Sequence, residues 1–176
     1  MNAEQLRHLL RAAARFTGER EFVVIGSQAL LGSHPDAPRS LRKSIEGDTY
    51  PLHNPQKSID VDGAIGELPP FHQEFGYYAH GVHPDTAILP IGWKKRLVEF
   101  EVGDEAGTVG LCLELHDLAF SKLAAGRAKD IEFIRGLLQY RLINRGKLKR
   151  LMENETQEDL KTILLRNWTI TERARP

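Results

Sequence analysis

Glu46 and Asp48 stand two residues apart in Lys43-Ser44-Ile45-Glu46-Gly47-Asp48-Thr49-Tyr50, where Ile45, Thr49 and Tyr50 favour a strand. Strand periodicity puts both carboxylates on one face, where they can hold a divalent cation between them. Upstream, Phe22-Val23-Val24-Ile25 runs straight into Gly26-Ser27 and then into a helical apolar pattern. That reads as a buried strand, a tight turn and a helix N-terminus. Backbone N–H groups, a hydroxyl and a helix dipole meet at such a turn and suit a phosphate. Gly26 admits a ligand close to the backbone, and Ser27 can cap the helix while donating to a phosphate oxygen. A cation on the acid pair and a triphosphate on the turn are the parts needed for in-line attack on an α-phosphate with pyrophosphate leaving. By itself the Gly-Ser stretch reads first as a strand-to-helix turn capped by Ser27 with no ligand. Asp60-x-Asp62 is a second acidic pair if residues 59–68 form a strand; the same residues also fit a short helix capped by Ser58 or Asp60.

The elements that must position these groups follow from periodicity. Leu6, Leu9, Leu10, Ala13, Ala14 and Phe16 share a helical face, and Gly18 ends that helix before the Phe22–Ile25 strand. Loops by composition cover 32–38 and 51–58. Strands are expected over 77–82, 87–89, 97–102 and 108–113 around turns at 83–85 and 103–107. From Glu114 the pattern turns helical: one helix to Gly126, a second over about 127–140, and two more near 147–154 and 157–168, with Asn144-Arg145-Gly146 as a break. The expected fold is α/β (α+β), a small mixed sheet with flanking helices over 1–113 and a helical C-terminal portion over 114–176, packed as one compact unit.

Composition excludes several classes. Lys+Arg and Asp+Glu are 24 each, so no global field draws nucleic acid or membrane, and a nucleic-acid contact must be local. Arg39, Arg42 and Lys43 with Lys94, Lys95 and Arg96 are candidates for it. No stretch reaches the ~20 apolar residues a membrane helix needs, and residues 1–16 carry charges unlike a signal peptide. The single Cys112 allows no intramolecular disulfide and fits a reducing, cytoplasmic setting; in an apolar strand it is expected to be inert. His80-x-x-His83 lacks further ligands at zinc spacing. A serine hydrolase is disfavoured because no glycine follows two residues after Ser27.

At Gly26-Ser27 and Glu46-x-Asp48 the chain resembles the nucleotidyltransferase superfamily that includes DNA polymerase β. The run from Leu113-Glu114-Leu115-His116-Asp117 to Lys122 and on to Asp130 looks like the helical signature of small bacterial nucleotidyltransferase-like proteins. It is also similar to the toxins of toxin–antitoxin and AbiE-type phage-defence pairs. With Ser44–Tyr50 and Ile65–Val82, it is similar to a little-characterised (DUF6036-like) nucleotidyltransferase family, over residues 20–140. The resemblance implies an enzyme that moves a nucleoside monophosphate from a nucleoside triphosphate to RNA, tRNA included, or to a protein hydroxyl. Mg²⁺ or Mn²⁺ would be held by Glu46 and Asp48, with Asp60 and Asp62 as the lesser alternative. An antitoxin is an implied partner, and a membrane is not. It also implies that Lys122 and Asp130 belong to the site. Lys122 is an amine on an otherwise apolar helical face, able to reach a phosphate, and Asp130 lies across the Gly126 break where it can orient it. Alternatively Lys122 snorkels and Asp130 caps the next helix. Arg127 and Lys129 could add phosphate contacts. The chain departs from the superfamily in having Glu46 where Asp is usual and Gly47 in an apolar place. Glu99 and Glu101 are the candidates for a third carboxylate. These departures support the alternative of an inactive member acting as a nucleotide-binding or protein-interaction module.

Overall fold

The computed structural model describes residues 1–173. The chain divides into two compact units, Met1–Ala87 with Leu97–Glu114, and Ile88–Arg96 with the chain from Leu115 onward.

The first unit is built on five strands: β1 (Glu21–Val24), β2 (Glu46–Pro51), β3 (Tyr78–Gly81), β4 (Val98–Glu101) and β5 (Val109–Cys112), in the order β3-β2-β1-β5-β4. β1 pairs antiparallel with β2 and parallel with β5; β2 pairs parallel with β3, and β4 antiparallel with β5. The register sorts the side chains into two faces, since neighbours across a ladder point the same way. Phe22, Val24, Gly47, Thr49, Ala79, Gly110 and Cys112 lie on one face, and Val23, Glu46, Asp48, Tyr50, Tyr78 and His80 on the other.

Helices cover the first face. α1 (Ala3–Thr17) buries Leu6, Leu9, Leu10 and Ala13, opens on an Asn2–Gln5 capping box and ends at left-handed Gly18. It lies close because β2 and β5 present glycines to it: a methyl on Gly47 would come within 3.1 Å of Leu9 Cδ1, and one on Gly110 within 2.8 Å of Leu10 Cδ1. Gly47 therefore leaves room for the helix core instead of weakening the strand. α2 (Leu30–Ser33), α3 (Ser58–Ile65) and α4 (Pro70–Phe75) complete this unit, with α3 against β3 and α1. The second face carries the polar groups of β2 and β3 beside the buried Val23 and Tyr50.

Of the two readings of residues 59–68 the helical one holds, over Ser58–Ile65, which puts Asp60 and Asp62 on a helix; the expected cap by Ser58 or Asp60 is corrected, since the helix starts at Ser58 after Lys57 with no side-chain cap. Three other expectations are corrected. Residues 87–89 form no strand; the turn before them is a 3₁₀ turn over Pro84–Thr86. Ser27 is not an N-cap but the first residue of a 3₁₀ turn (Ser27–Ala29) leading into α2. The break before the third C-terminal helix comes earlier than Arg145, which with Gly146 already belongs to it.

The second unit contains α5 (Leu115–Ala125), α6 (Ala128–Gln139), α7 (Arg145–Glu153) and α8 (Glu158–Arg173). α5 is buried almost all round and contacts the other three. Inside it lies an ion pair that periodicity does not reveal: Asp117, fully buried, accepts two bonds at 2.9 Å from Arg96, which ties residues 88–96 to this unit.

Candidate active site

β1 ends where the Ile25 N–H donates to the Asp48 carbonyl at 2.9 Å, which brings Gly26 over the Asp48 side chain. Gly26 has φ 68° and ψ −170°, backbone that essentially only glycine adopts. A methyl there would also collide with Asp48 Oδ2. Two independent constraints thus require glycine, and both follow from seating a carboxylate against the turn.

Asp48 and Glu46 share their face with the two side chains of β3 that pair with them in register, His80 opposite Asp48 and Tyr78 opposite Glu46. His80 Nδ1 is 3.2 Å from Asp48 Oδ1 and 3.3 Å from Glu46 Oε1, and the Tyr78 hydroxyl donates to Glu46 Oε2 at 3.3 Å. One ligand atom each from Glu46, Asp48 and His80 falls within a 4.8 Å cluster. The charges explain the protonation pattern. Burial, with the neighbouring Glu46, pushes Asp48 up to about 7, whereas the hydrogen bond from Asp48 holds Glu46 below its ordinary value. Burial works against the His80 imidazolium, but Asp48 and Glu46 together raise it. Two carboxylates forced together, sharing a proton and leaning on an imidazole, are a donor set that a divalent cation would relieve.

Beside this trio opens a cleft of about 610 Å³ lined by Glu46, Tyr78, His80, Asp62, Glu67 and Leu68. Asp62 thus joins the rim, where it accepts a 3.4 Å bond from the Gly81 N–H. Asp60, two helical positions away, is exposed and does not line it. Glu99 and Glu101 lie on the same face of the sheet, but β4 is three strands from β2, roughly 14 Å at ordinary strand spacing. They do not join the trio; His80 occupies the adjoining strand instead. Sequence reading missed His80 and Tyr78 as partners of the acid pair. The available signal was Tyr78-Ala79-His80 repeating the period-2 pattern of Glu46-Gly47-Asp48, which becomes a site only once the two strands pair.

Lys122, Arg127 and Asp130 form a cluster in the helical unit. Asp130 is fully buried and accepts from Lys122 Nζ at 3.0 Å and Arg127 Nε at 2.6 Å; Lys122 Nζ also lies 4.7 Å over the Phe133 ring. Burial opposes ionisation of Asp130, yet Arg127 and Lys122 hold it below the ordinary carboxylate value. Gly126, at φ 62°, makes the corner that allows this, and a methyl there would strike the Asn167 amide. Arg39, Arg42 and Lys43 belong to the sheet unit, whereas Lys94, Lys95 and Arg96 belong to the helical one. Cys112 is buried, and burial raises its thiol to about 12, as expected of an inert side chain.

A mixed sheet that presses a strand-borne carboxylate pair against a Gly-Ser turn is the arrangement the resemblance leads one to expect. The chain belongs to the family described as nucleotidyltransferase of unknown function (DUF6036), whose family model matches residues 4–172. The match extends beyond residues 20–140, over most of the helical unit. No curated protein and no solved structure matches the chain.

Proposed function

We propose that the chain is a Mg²⁺- or Mn²⁺-dependent nucleotidyltransferase that transfers a nucleoside monophosphate from a nucleoside triphosphate to a hydroxyl of RNA, tRNA included, or of a protein. The observation that carries this reading is the Glu46–Asp48–His80 trio seated on the Gly26 turn. Glu46, Asp48 and His80 would hold the metal, with His80 in place of a third carboxylate; an imidazole ligand suits Mn²⁺ better than Mg²⁺. The bound ion would neutralise triphosphate oxygens and make the acceptor hydroxyl more acidic. Gly26 and Ser27 would receive phosphate oxygens through backbone N–H groups and the Ser27 hydroxyl. The acceptor oxygen forms a bond to the α-phosphorus, the bond from that phosphorus to the β-phosphate oxygen breaks, and pyrophosphate leaves. The acceptor proton would leave to solvent, because the ligand atoms of the trio would be on the metal. Lys122 and Arg127, oriented by Asp130, would supply positive charge to the phosphates. In a toxin–antitoxin or phage-defence setting, an antitoxin protein would hold this activity in check.

The test is incubation with each α-³²P-labelled nucleoside triphosphate, total RNA and Mg²⁺ or Mn²⁺. Label should move to RNA or to a protein, disappear in Glu46→Ala/Asp48→Ala, and persist in Asp60→Ala/Asp62→Ala. Triphosphate binding without transfer in any combination would favour a non-catalytic nucleotide-binding module, which the Glu46 and His80 departures from an all-aspartate site support.

A further inference from the structure

The zero net charge of the chain conceals a sharp division. The sheet unit carries 8 Lys/Arg against 16 Asp/Glu, a net of −8, whereas the described part of the helical unit carries 15 against 8, a net of +7. The excess is concentrated. Residues 135–152 contain six cations, Arg135, Arg141, Arg145, Lys147, Lys149 and Arg150, and no acidic residue. Arg135 is committed to the Ile170 and Thr171 carbonyls, and Arg145 to Glu172 at 2.9 Å. Arg141, Lys149 and Arg150 are exposed; Lys149 is only 3.8 Å from Glu153, and Arg141 and Arg150 have no side-chain partner among the described residues.

Two further observations say what this surface fits. α7 turns Leu148 and Met152 inward, so its outer face has no apolar ridge with which to enter a membrane. At the corner before it, Tyr140 stays 43% exposed beside Arg141. Arg141, at φ 58°, takes the left-handed position that closes α6, where the Leu142 N–H donates back to the Leu137 carbonyl at 2.9 Å, so the turn holds this cation next to the ring. Cations flanking an exposed aromatic ring are what a flexible polynucleotide needs, phosphates for the charges and an unstacked base for the ring.

We propose that the Tyr140–Arg150 surface binds single-stranded nucleic acid, with Arg141, Lys149 and Arg150 on phosphates and Tyr140 stacking on a base. That the bound nucleic acid is the acceptor rests on the transferase reading above; the binding itself does not.

The test is fluorescence anisotropy of the full-length protein with a labelled RNA of about 12 nucleotides, titrated at about 50 to 200 mM salt. Wild type should bind with affinity that falls as salt rises, a log–log slope of about −2 to −3 for three or four phosphate contacts. Arg141→Gln/Lys149→Gln/Arg150→Gln should bind at least tenfold more weakly with a slope shallower by about 2. Lys149→Gln/Arg150→Gln, both exposed mid-helix, serves if the triple variant folds poorly. Tyr140→Ala should lose about fivefold or more with its slope unchanged. Unchanged RNA binding by the folded triple variant would overturn the proposal. So would equal competition by poly-glutamate, preferential binding to phosphatidylserine vesicles, or a salt-sensitive self-association that the triple substitution abolishes. Normal RNA binding without label transfer would defeat the transferase reading and leave this one intact. Label transfer to protein with no polynucleotide binding would do the reverse.

Discussion

Asp48 is held in a position that favours its proton. Its ordinary value is 3.8 and the folded value about 7, so between those limits the native state binds more protons than the unfolded chain, and stability falls as pH rises. At 1.36 kcal/mol per pH unit the gap sets a ceiling of about 4 kcal/mol. Asp48→Asn keeps a donor toward Glu46 and removes the titration. It should therefore stabilise the protein by about 1–2 kcal/mol at pH 8, a rise of roughly 3–6 °C in Tm, and by nothing measurable near pH 4. Thermal melts across that range test it, and a gain that grows toward low pH would contradict it. Gly26→Ala acts on the same carboxylate from the other side. The methyl would drive Asp48 from its seat, so Mn²⁺ binding by calorimetry should weaken at least tenfold, about 1.4 kcal/mol or more.

At the level of elements, the α5–α6 corner separates structural from chemical roles. Asp130 has two cations, so Lys122→Met leaves it with Arg127 at 2.6 Å and places a similar chain over Phe133. Stability should change by less than about 1 kcal/mol, while label transfer, on the proposed role, is lost; full activity would remove Lys122 from the mechanism. Asp130→Ala strips a buried carboxylate from a Lys122 that is only 12% exposed, and should cost about 2–3 kcal/mol. Because Asp130 is held below its ordinary 3.8, its contribution is present above that pH and lost as pH falls through the folded value. The gap in stability between Asp130→Asn and wild type should accordingly close in acid. Gly126→Ala meets both a left-handed backbone and the Asn167 amide that donates to the Leu123 carbonyl at 2.7 Å. Denaturant melts should show a loss of about 2–3 kcal/mol.

For the whole molecule, net charge is a misleading guide to behaviour. A protein of pI near 7.1 with its charges evenly mixed should pass both ion exchangers at pH 7 and low salt. This chain, with −8 in one unit and +7 in the described part of the other, should be retained on anion exchanger and on heparin alike, and salt should elute it from both. Free passage through both columns would show that the opposite charges neutralise each other in solution. Among the described residues no helix is long and apolar enough to cross a membrane.

Much of the protein is legible in its sequence. The Gly26 turn, the shared face of Glu46 and Asp48 and the helical character of residues 114–173 are set by local rules: backbone freedom, period 2 and period 3.6. The helix over residues 58–65 was ambiguous because two acids two apart read alike on a strand or on a short helix. What only the tertiary structure decided is lateral order. Which strand lies beside β2 brought His80 and Tyr78 to the acid pair and took Glu99 and Glu101 away from it. The division into units turned a neutral composition into two opposed charges. Strand pairing and unit membership join residues far apart in the chain, and local periodicity carries no record of those partners.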